Sequence, residues 1–248
     1  MNKMRIIALP FAGGNRFSFN DIEKHASKKM EWTTLELPGR GSRFKESLLS
    51  NVDDMVDDLM QKIKPHLLKE GAYALYGHSM GTLLGYELTK RIVEAKLKQP
   101  TCLFFTGRGA PGFERCSKKR SSLPKDEFWK EIDKIGGLPS DIFQHKELLD
   151  LYYPIMKYDF KAIEDYKFQK MERPLSMPIH ICMGEDEIGK EEDDKTPIDS
   201  MKAWQYETTS PCSFELLKGD HFFILNNPEL IANKIYNAAT SNKIVAPH

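Results

Sequence analysis

Tyr73-Ala74-Leu75-Tyr76-Gly77-His78-Ser79-Met80-Gly81-Thr82-Leu83-Leu84-Gly85-Tyr86-Glu87-Leu88 is the stretch on which the fold turns. Its first four residues form an apolar run of strand length, and its last seven recur with helical period, so a strand passes through a tight turn straight into a helix. The turn reads Gly77-x-Ser79-x-Gly81. Side chains at the two glycine positions would clash where the chain bends sharply enough to hold Ser79 in a strained conformation. The same bend aims the Met80 N–H, at the positive end of the new helix, toward a carbonyl reacting at the serine. A bare match to this pattern arises about 0.1 times by chance in a chain of this length, so the strand-turn-helix setting carries the inference. A glycine-flanked turn with an idle serine is the competing reading.

Outward from the elbow, short apolar runs alternate with longer stretches of helical period, the pattern of a mostly parallel sheet flanked by helices. Strands are expected at Arg5–Leu9, Thr33–Leu37, Tyr73–Tyr76, Cys102–Thr106, Ile179–Met183 and Phe214–Leu217. Helices are expected near Ser18–His25, Val52–Leu67, Thr82–Glu94, Met201–Glu207 and Pro228–Ala238. From about residue 115 to 173 no strand is discernible, only helical stretches such as Lys125–Ile135 and Lys146–Met156. This region reads as a helical lid inserted into one α/β domain spanning residues 1–248, the alternative being helices that merely cover a sheet edge.

Composition narrows the classes of function. The 36 Lys and Arg balance the 36 Asp and Glu among 248 residues, which leaves no global pull toward nucleic acid or an anionic membrane. The four cysteines, Cys102, Cys116, Cys182 and Cys212, are widely spaced and lack metal-ligand spacing, as in a cytoplasmic chain with free thiols. The apolar run Ile6–Leu9 is too brief for a signal-peptide core, and no stretch approaches the length of a membrane span.

A serine hydroxyl needs a base within hydrogen-bond reach. Where such an elbow opens a helix the partners follow in the order Ser, acid, His, and His221 in Gly219-Asp220-His221-Phe222-Phe223 sits after the last expected strand. His180 lies inside an apolar strand, His78 is constrained by the elbow, and His25, His66, His145 and His248 fall on surface helices or the tail. The acid that orients His221 should leave the strand end after Ile179–Met183, where Asp186 and Glu187 both stand; Glu191, Glu192, Asp193 and Asp194 read as a solvated acidic loop. The first strand ends in Leu9-Pro10-Phe11-Ala12-Gly13-Gly14, whose small residues admit close backbone approach, so the Ala12 N–H is a candidate second oxyanion donor.

Five motifs together resemble the type II thioesterases of nonribosomal peptide and polyketide synthases and the related medium-chain fatty-acyl thioesterases. They are Leu9-Pro10-Phe11-Ala12-Gly13-Gly14, Leu37-Pro38-Gly39-Arg40-Gly41-Ser42-Arg43, Gly77-His78-Ser79-Met80-Gly81, Gly136-Gly137-Leu138-Pro139 and Gly219-Asp220-His221-Phe222-Phe223, in family order from about Arg5 to Ala238. The resemblance implies an α/β-hydrolase fold with a lid and hydrolysis of acyl thioesters on the phosphopantetheine arm of acyl or peptidyl carrier proteins. It implies no metal and no cofactor beyond that substrate-borne arm. It makes Ser79 the acylated nucleophile, His221 the base, Ala12 and Met80 the oxyanion donors, and it places Phe11, Gly13 and His78 at the substrate. The family's acid stands three residues after the strand-ending glycine, here Glu187, with Asp186 one residue earlier. In Ile155-Met156-Lys157-Tyr158-Asp159 the family's lid aspartate is retained, whereas Lys157 stands near a common arginine. Carriers of this kind are usually acidic, and Arg115, Lys118, Lys119 and Arg120 form a cluster where one could dock or a solvated charge run. A monomer is expected. The competing functions are a carboxylesterase or lipase acting on small diffusing esters and a noncatalytic hydrolase-fold binding protein.

Overall fold

The computed structural model describes residues 3–26, 28–113, 118–137, 144–190 and 194–241. Strands β1 (Met4–Leu9), β2 (Met30–Thr34), β3 (Tyr73–His78), β4 (Leu103–Thr106), β5 (Ile179–Gly184) and β6 (Cys212–Leu217) form one sheet in the order β2-β1-β3-β4-β5-β6. Every neighbouring pair in it is parallel. Parallel neighbours require crossovers, supplied by α1 (Asn20–Ala26), α2 (Val52–Leu67), α3 (Met80–Glu94), α4 (Lys125–Ile135), α5 (Lys146–Asp165) and α6 (Ile198–Lys202). The chain closes with α7 (Phe223–Asn226) and α8 (Pro228–Ser241). The strand order reverses direction between β1 and β3, and a ligand crevice is expected at the carboxyl ends of those two strands.

The two faces of the sheet are filled by alternation. In β1, Met4, Ile6 and Ala8 join Phe19, Ile22, Ile231 and Ile235 beneath α1 and α8, while Ile7 and Leu9 join Met55, Val56, Leu59 and Leu83 beneath α2 and α3. Helix α2 begins where expected because the Asn51 side chain accepts the Asp54 N–H at 2.8 Å, an N-cap. Its far end is satisfied by Arg5, whose guanidinium donates to the carbonyls of His66, Lys69 and Gly71. Among the described residues no helix is long and apolar enough to cross a membrane. Cys102 and Cys182 are buried and Cys212 half-buried, all as free thiols that burial pushes up to about 12.

Three expectations shift. Strand β2 is Met30–Thr34 rather than Thr33–Leu37. Leu35 and Leu37 are buried from the loop beyond it, where Leu35 makes a last N–H bond to the Ala8 carbonyl before Pro38. Helix α5 runs on past Met156 to Asp165 with Pro154 inside it. The expected helix Met201–Glu207 divides into α6 and a 3₁₀ turn at Ala203–Glu207. Between β4 and β5 the helices α4 and α5 carry an apolar cluster of their own, built on Phe128, Trp129, Ile132 and Met156.

The elbow rests on backbone contacts. A Cβ at Gly77 would lie 2.4 Å from the Gly81 carbonyl oxygen, and one at Gly81 would lie 1.9 Å from the carbonyl oxygen of Leu9. Neither neighbour is a side chain able to yield. Gly81→Ala is therefore expected to cost about 3 kcal/mol in urea unfolding, at the upper end of overpacking effects. Gly71→Ala, with φ 80 but nothing within 4 Å, is expected to cost about 1–2 kcal/mol. Equal costs at the two positions would refute the steric account.

Candidate active site

The carboxyl ends of the strands bring the site together. Ser79 follows β3 with φ 55 and ψ −112, a conformation that L-residues adopt at a cost. Its N–H is held by the Thr106 carbonyl at 2.9 Å, and the Thr82 hydroxyl donates to the carbonyls of Gly77 and Thr106. Ser79 Oγ lies 3.0 Å from His221 Nε2, and His221 Nδ1 lies 2.5 Å from Glu187 Oε2. Because a carboxylate only accepts, Nδ1 carries the imidazole proton and Nε2 presents its lone pair to the serine hydroxyl.

The geometry distinguishes the two candidate acids. Residues Glu185–Glu187 form a 3₁₀ turn that folds the third residue back over the strand end, so the other Glu187 oxygen accepts the Gly184 N–H at 2.8 Å. Glu187 is buried; Asp186 is exposed, and its backbone N–H bonds the Gly219 carbonyl. A Cβ at Gly184 would lie 2.3 Å from the Asp220 carbonyl oxygen, so this glycine lets the acid loop and the histidine loop touch. Asp194 bears an ion pair with Arg120, and Glu191, Glu192 and Asp193 lie outside the described residues.

The loop after β1 is a four-residue turn. Gly14 N–H bonds the Phe11 carbonyl at 2.9 Å, and Gly13 at φ 76 occupies the position where a type II turn demands a left-handed residue. Ala12 N–H and, at the start of α3, Met80 N–H are the two candidate oxyanion donors. The Gly13 N–H points away from any substrate position and donates to Asp159 Oδ2 at 2.7 Å. Phe11 is half-buried and meets Phe222 edge-on at 5.0 Å, and Phe222 in turn meets the His221 ring at 5.1 Å.

His78 corrects another expectation. It is fully buried, not at a substrate surface, with Nδ1 2.9 Å from the Thr106 hydroxyl and its ring 5.0 Å from that of His221. Burial, and then the neighbouring His221, hold its imidazole well below the ordinary value of 6.5. It is a neutral wedge behind the contact between Ser79 and His221. His180 is half-buried, hydrogen-bonded to Ser213 and stacked on Phe104.

Sequence reasoning found no role for Arg40. Its guanidinium grips Asp159 of α5 through two bonds of 2.6 and 2.8 Å, with the two side chains 3% and 0% exposed. Lys157 lies over the Tyr153 ring instead, so the fork that meets Asp159 comes from the loop after β2. Removing one partner of such a pair costs about 3–5 kcal/mol through the unpaired buried charge. The only available signal was two oppositely charged residues inside otherwise apolar or glycine-rich motifs, 119 positions apart. The basic cluster is not a free patch. Lys118 pairs with Glu131, Lys119 with Asp165 and Arg120 with Asp194, while Arg115 lies outside the described residues. Among the described residues no group of three His, Cys, Asp or Glu is placed to hold a metal.

A thioesterase-domain family model matches residues 4–238. The gramicidin S biosynthesis protein GrsT of Aneurinibacillus migulanus is 30% identical over 222 residues, which span 90% of this chain and 83% of that protein. The solved structure of ClbQ from the colibactin NRPS/PKS pathway aligns with a TM-score of 0.90 at 30% identity, over 99% of this chain and 100% of the other. That of the type II thioesterase BorB from the borrelidin biosynthetic cluster aligns with a TM-score of 0.84 at 26% identity, over 96% and 93%.

The buried His78 leads to a pH effect. The unfolded chain protonates this residue near 6.5 and the folded protein does not, so its contribution to stability is present above 6.5 and is lost as pH falls through that value. His66 and His180, also lowered chiefly by burial, act in the same sense. His78→Phe is expected to make the decline of melting temperature between about pH 7 and 5 shallower than in the wild type. An unchanged slope would remove His78 from this role.

Proposed function

From the premise that this chain belongs to the thioesterase family, we propose that it is a type II, editing thioesterase that clears acyl groups from the phosphopantetheine arms of carrier proteins. The observation that carries the reading is the hydrogen-bonded series Ser79, His221, Glu187 at the strand ends of a thioesterase fold. GrsT is named for gramicidin S biosynthesis, ClbQ for the colibactin NRPS/PKS pathway and BorB as a type II thioesterase of the borrelidin biosynthetic cluster, which supports the choice of a carrier-bound substrate.

His221 Nε2 takes the Ser79 proton as Oγ attacks the thioester carbonyl carbon, and the Ala12 and Met80 N–H groups receive the oxyanion. The oxyanion collapses, the carbon–sulfur bond breaks, and the imidazolium returns its proton to the departing thiol. A water then attacks the acyl-serine, gives its proton to His221, and the free acid leaves as Ser79 regains a proton. Glu187 accepts from Nδ1 throughout and stabilises the imidazolium. The chain itself supplies base, nucleophile and oxyanion donors, so the cycle calls for no metal or organic cofactor; the phosphopantetheine arrives with the substrate. We take residues 115–173 as a lid over the acyl group within one domain of residues 1–248, and the protein as a cytoplasmic monomer.

Hydrolysis of an acyl-carrier thioester is expected to exceed that of the matched oxygen ester and to vanish in Ser79→Ala; a strong preference for the oxygen ester would favour an esterase. Labelling by a fluorophosphonate, lost in Ser79→Ala, separates an enzyme from a noncatalytic binding protein. Glu187→Gln is expected to lower kcat by about 10⁴-fold by releasing the imidazole. Asp186→Asn, at an exposed position, should stay within about a factor of two. The reverse ranking would reassign the acid.

A further inference from the structure

Among the described ion pairs, Arg40–Asp159 is the most deeply buried. A buried pair gives little net stability, since a well-packed apolar pair does as well or better. Its third bond is the informative one. Asp159 accepts not only from both Arg40 nitrogens but also from the Gly13 N–H, so its carboxylate ties together three donors from two different loops.

Gly13 belongs to the turn that carries Ala12. The middle peptide of such a turn, here Ala12–Gly13, has two orientations that differ by a flip exchanging the directions of its N–H and C=O. With the N–H toward Asp159 the carboxylate gains a donor, whereas after a flip the Ala12 carbonyl oxygen would face it and be repelled; the bond also anchors the Ala12 Cα, from which the preceding peptide carries the Ala12 N–H. One helical turn earlier on the same face of α5, Met156 presses on the turn, its Sδ standing 2.2 Å from where a Gly13 Cβ would be. On the far side the Gly81 backbone abuts the carbonyls of Leu9 and Pro10. The turn is thus held between the elbow helix α3 and the helix α5.

Building on the acyl-enzyme reading above, we propose that Asp159, held by Arg40, is a positioning residue that fixes the Phe11–Gly14 turn and thereby aligns the Ala12 N–H with that of Met80 to receive the oxyanion. The helix α5 completes half of the oxyanion hole without touching substrate. Misplacement of a donor by about 1 Å costs on the order of 10²-fold in rate. This loss falls on the transition state, not on ground-state binding.

The test compares wild type with Asp159→Asn, which is isosteric but cannot satisfy all three donors, and Arg40→Lys, which keeps the charge but not the fork. Each is assayed on an acyl-carrier thioester and with two acyl-chain probes: a trifluoromethyl ketone, which adds Ser79 and forms an oxyanion, and the matching secondary alcohol, which does not. Folded Asp159→Asn is expected to lose about 10²-fold in kcat with KM little changed, and to lose ketone affinity in parallel with kcat/KM. Alcohol affinity and the pH dependence of kcat should stay as in wild type, and Arg40→Lys should move the same quantities less. A folded variant with near-normal kcat, or one that loses kcat while keeping ketone affinity, overturns the proposal. So does failure of both variants to fold, which would assign the pair to the fold alone. Failure of the parent reading looks different: the wild type would not release acyl groups from the thioester, or Ser79→Ala would be as active as wild type.

Discussion

The backbone of Gly81 lies so close to the Leu9 carbonyl that no other residue fits between them, and the two halves of the reacting edge depend on that approach. It sets the start of α3 against the end of β1, and with it Met80 against the turn that carries Ala12. It also leaves Ser79 at φ 55, a conformation that costs about 1–3 kcal/mol and persists only because the surroundings over-determine it. Those surroundings are visible: the Thr106 carbonyl on the Ser79 N–H, the Thr82 hydroxyl across Gly77 and Thr106, and β3 paired on both sides within the sheet.

Local chemistry made much of this legible. A strand feeding a glycine-flanked serine and then a helical period can be read from a few adjacent residues, and a late histidine after the last strand needs only chain order. Parallel strands buried on both faces are continuous apolar runs, which is why β1, β3, β4 and β5 lie close to their expected limits. The same rule misplaced β2. Apolarity reports burial, not pairing, and Leu35 and Leu37 are buried from a loop. Helix α5 likewise runs on to Asp165, past the expected limit at Met156.

The site was less legible where it depends on turns or on distant pairs. Asp186 and Glu187 are chemically near-equivalent neighbours, and only the 3₁₀ turn that folds Glu187 back onto Gly184 separates them. His78 stands beside Ser79 in sequence and behind it in space, because successive residues point to opposite faces at the end of β3 and the chain turns sharply at Ser79. Arg40 and Asp159 stand 119 positions apart, and no local pattern links them. The charges at Lys118, Lys119 and Arg120, adjacent in sequence, are met by Glu131, Asp165 and Asp194, so a run that reads as a basic patch is locally neutralised.

The contact between Gly184 and the Asp220 carbonyl, with the Asp186 N–H bonded to Gly219, has a mechanical consequence. It stitches the acid loop to the histidine loop, so Glu187 and His221 are fixed to each other through their backbones, while Ser79 is held from β3 and α3. The joint between the two falls at the hydrogen bond from Ser79 to His221. In the proposed cycle the imidazole carries the proton from the serine to the departing sulfur across that joint, with Glu187 holding its other nitrogen. The joint thus coincides with the one hydrogen bond that the proposed cycle breaks and re-forms in every turnover.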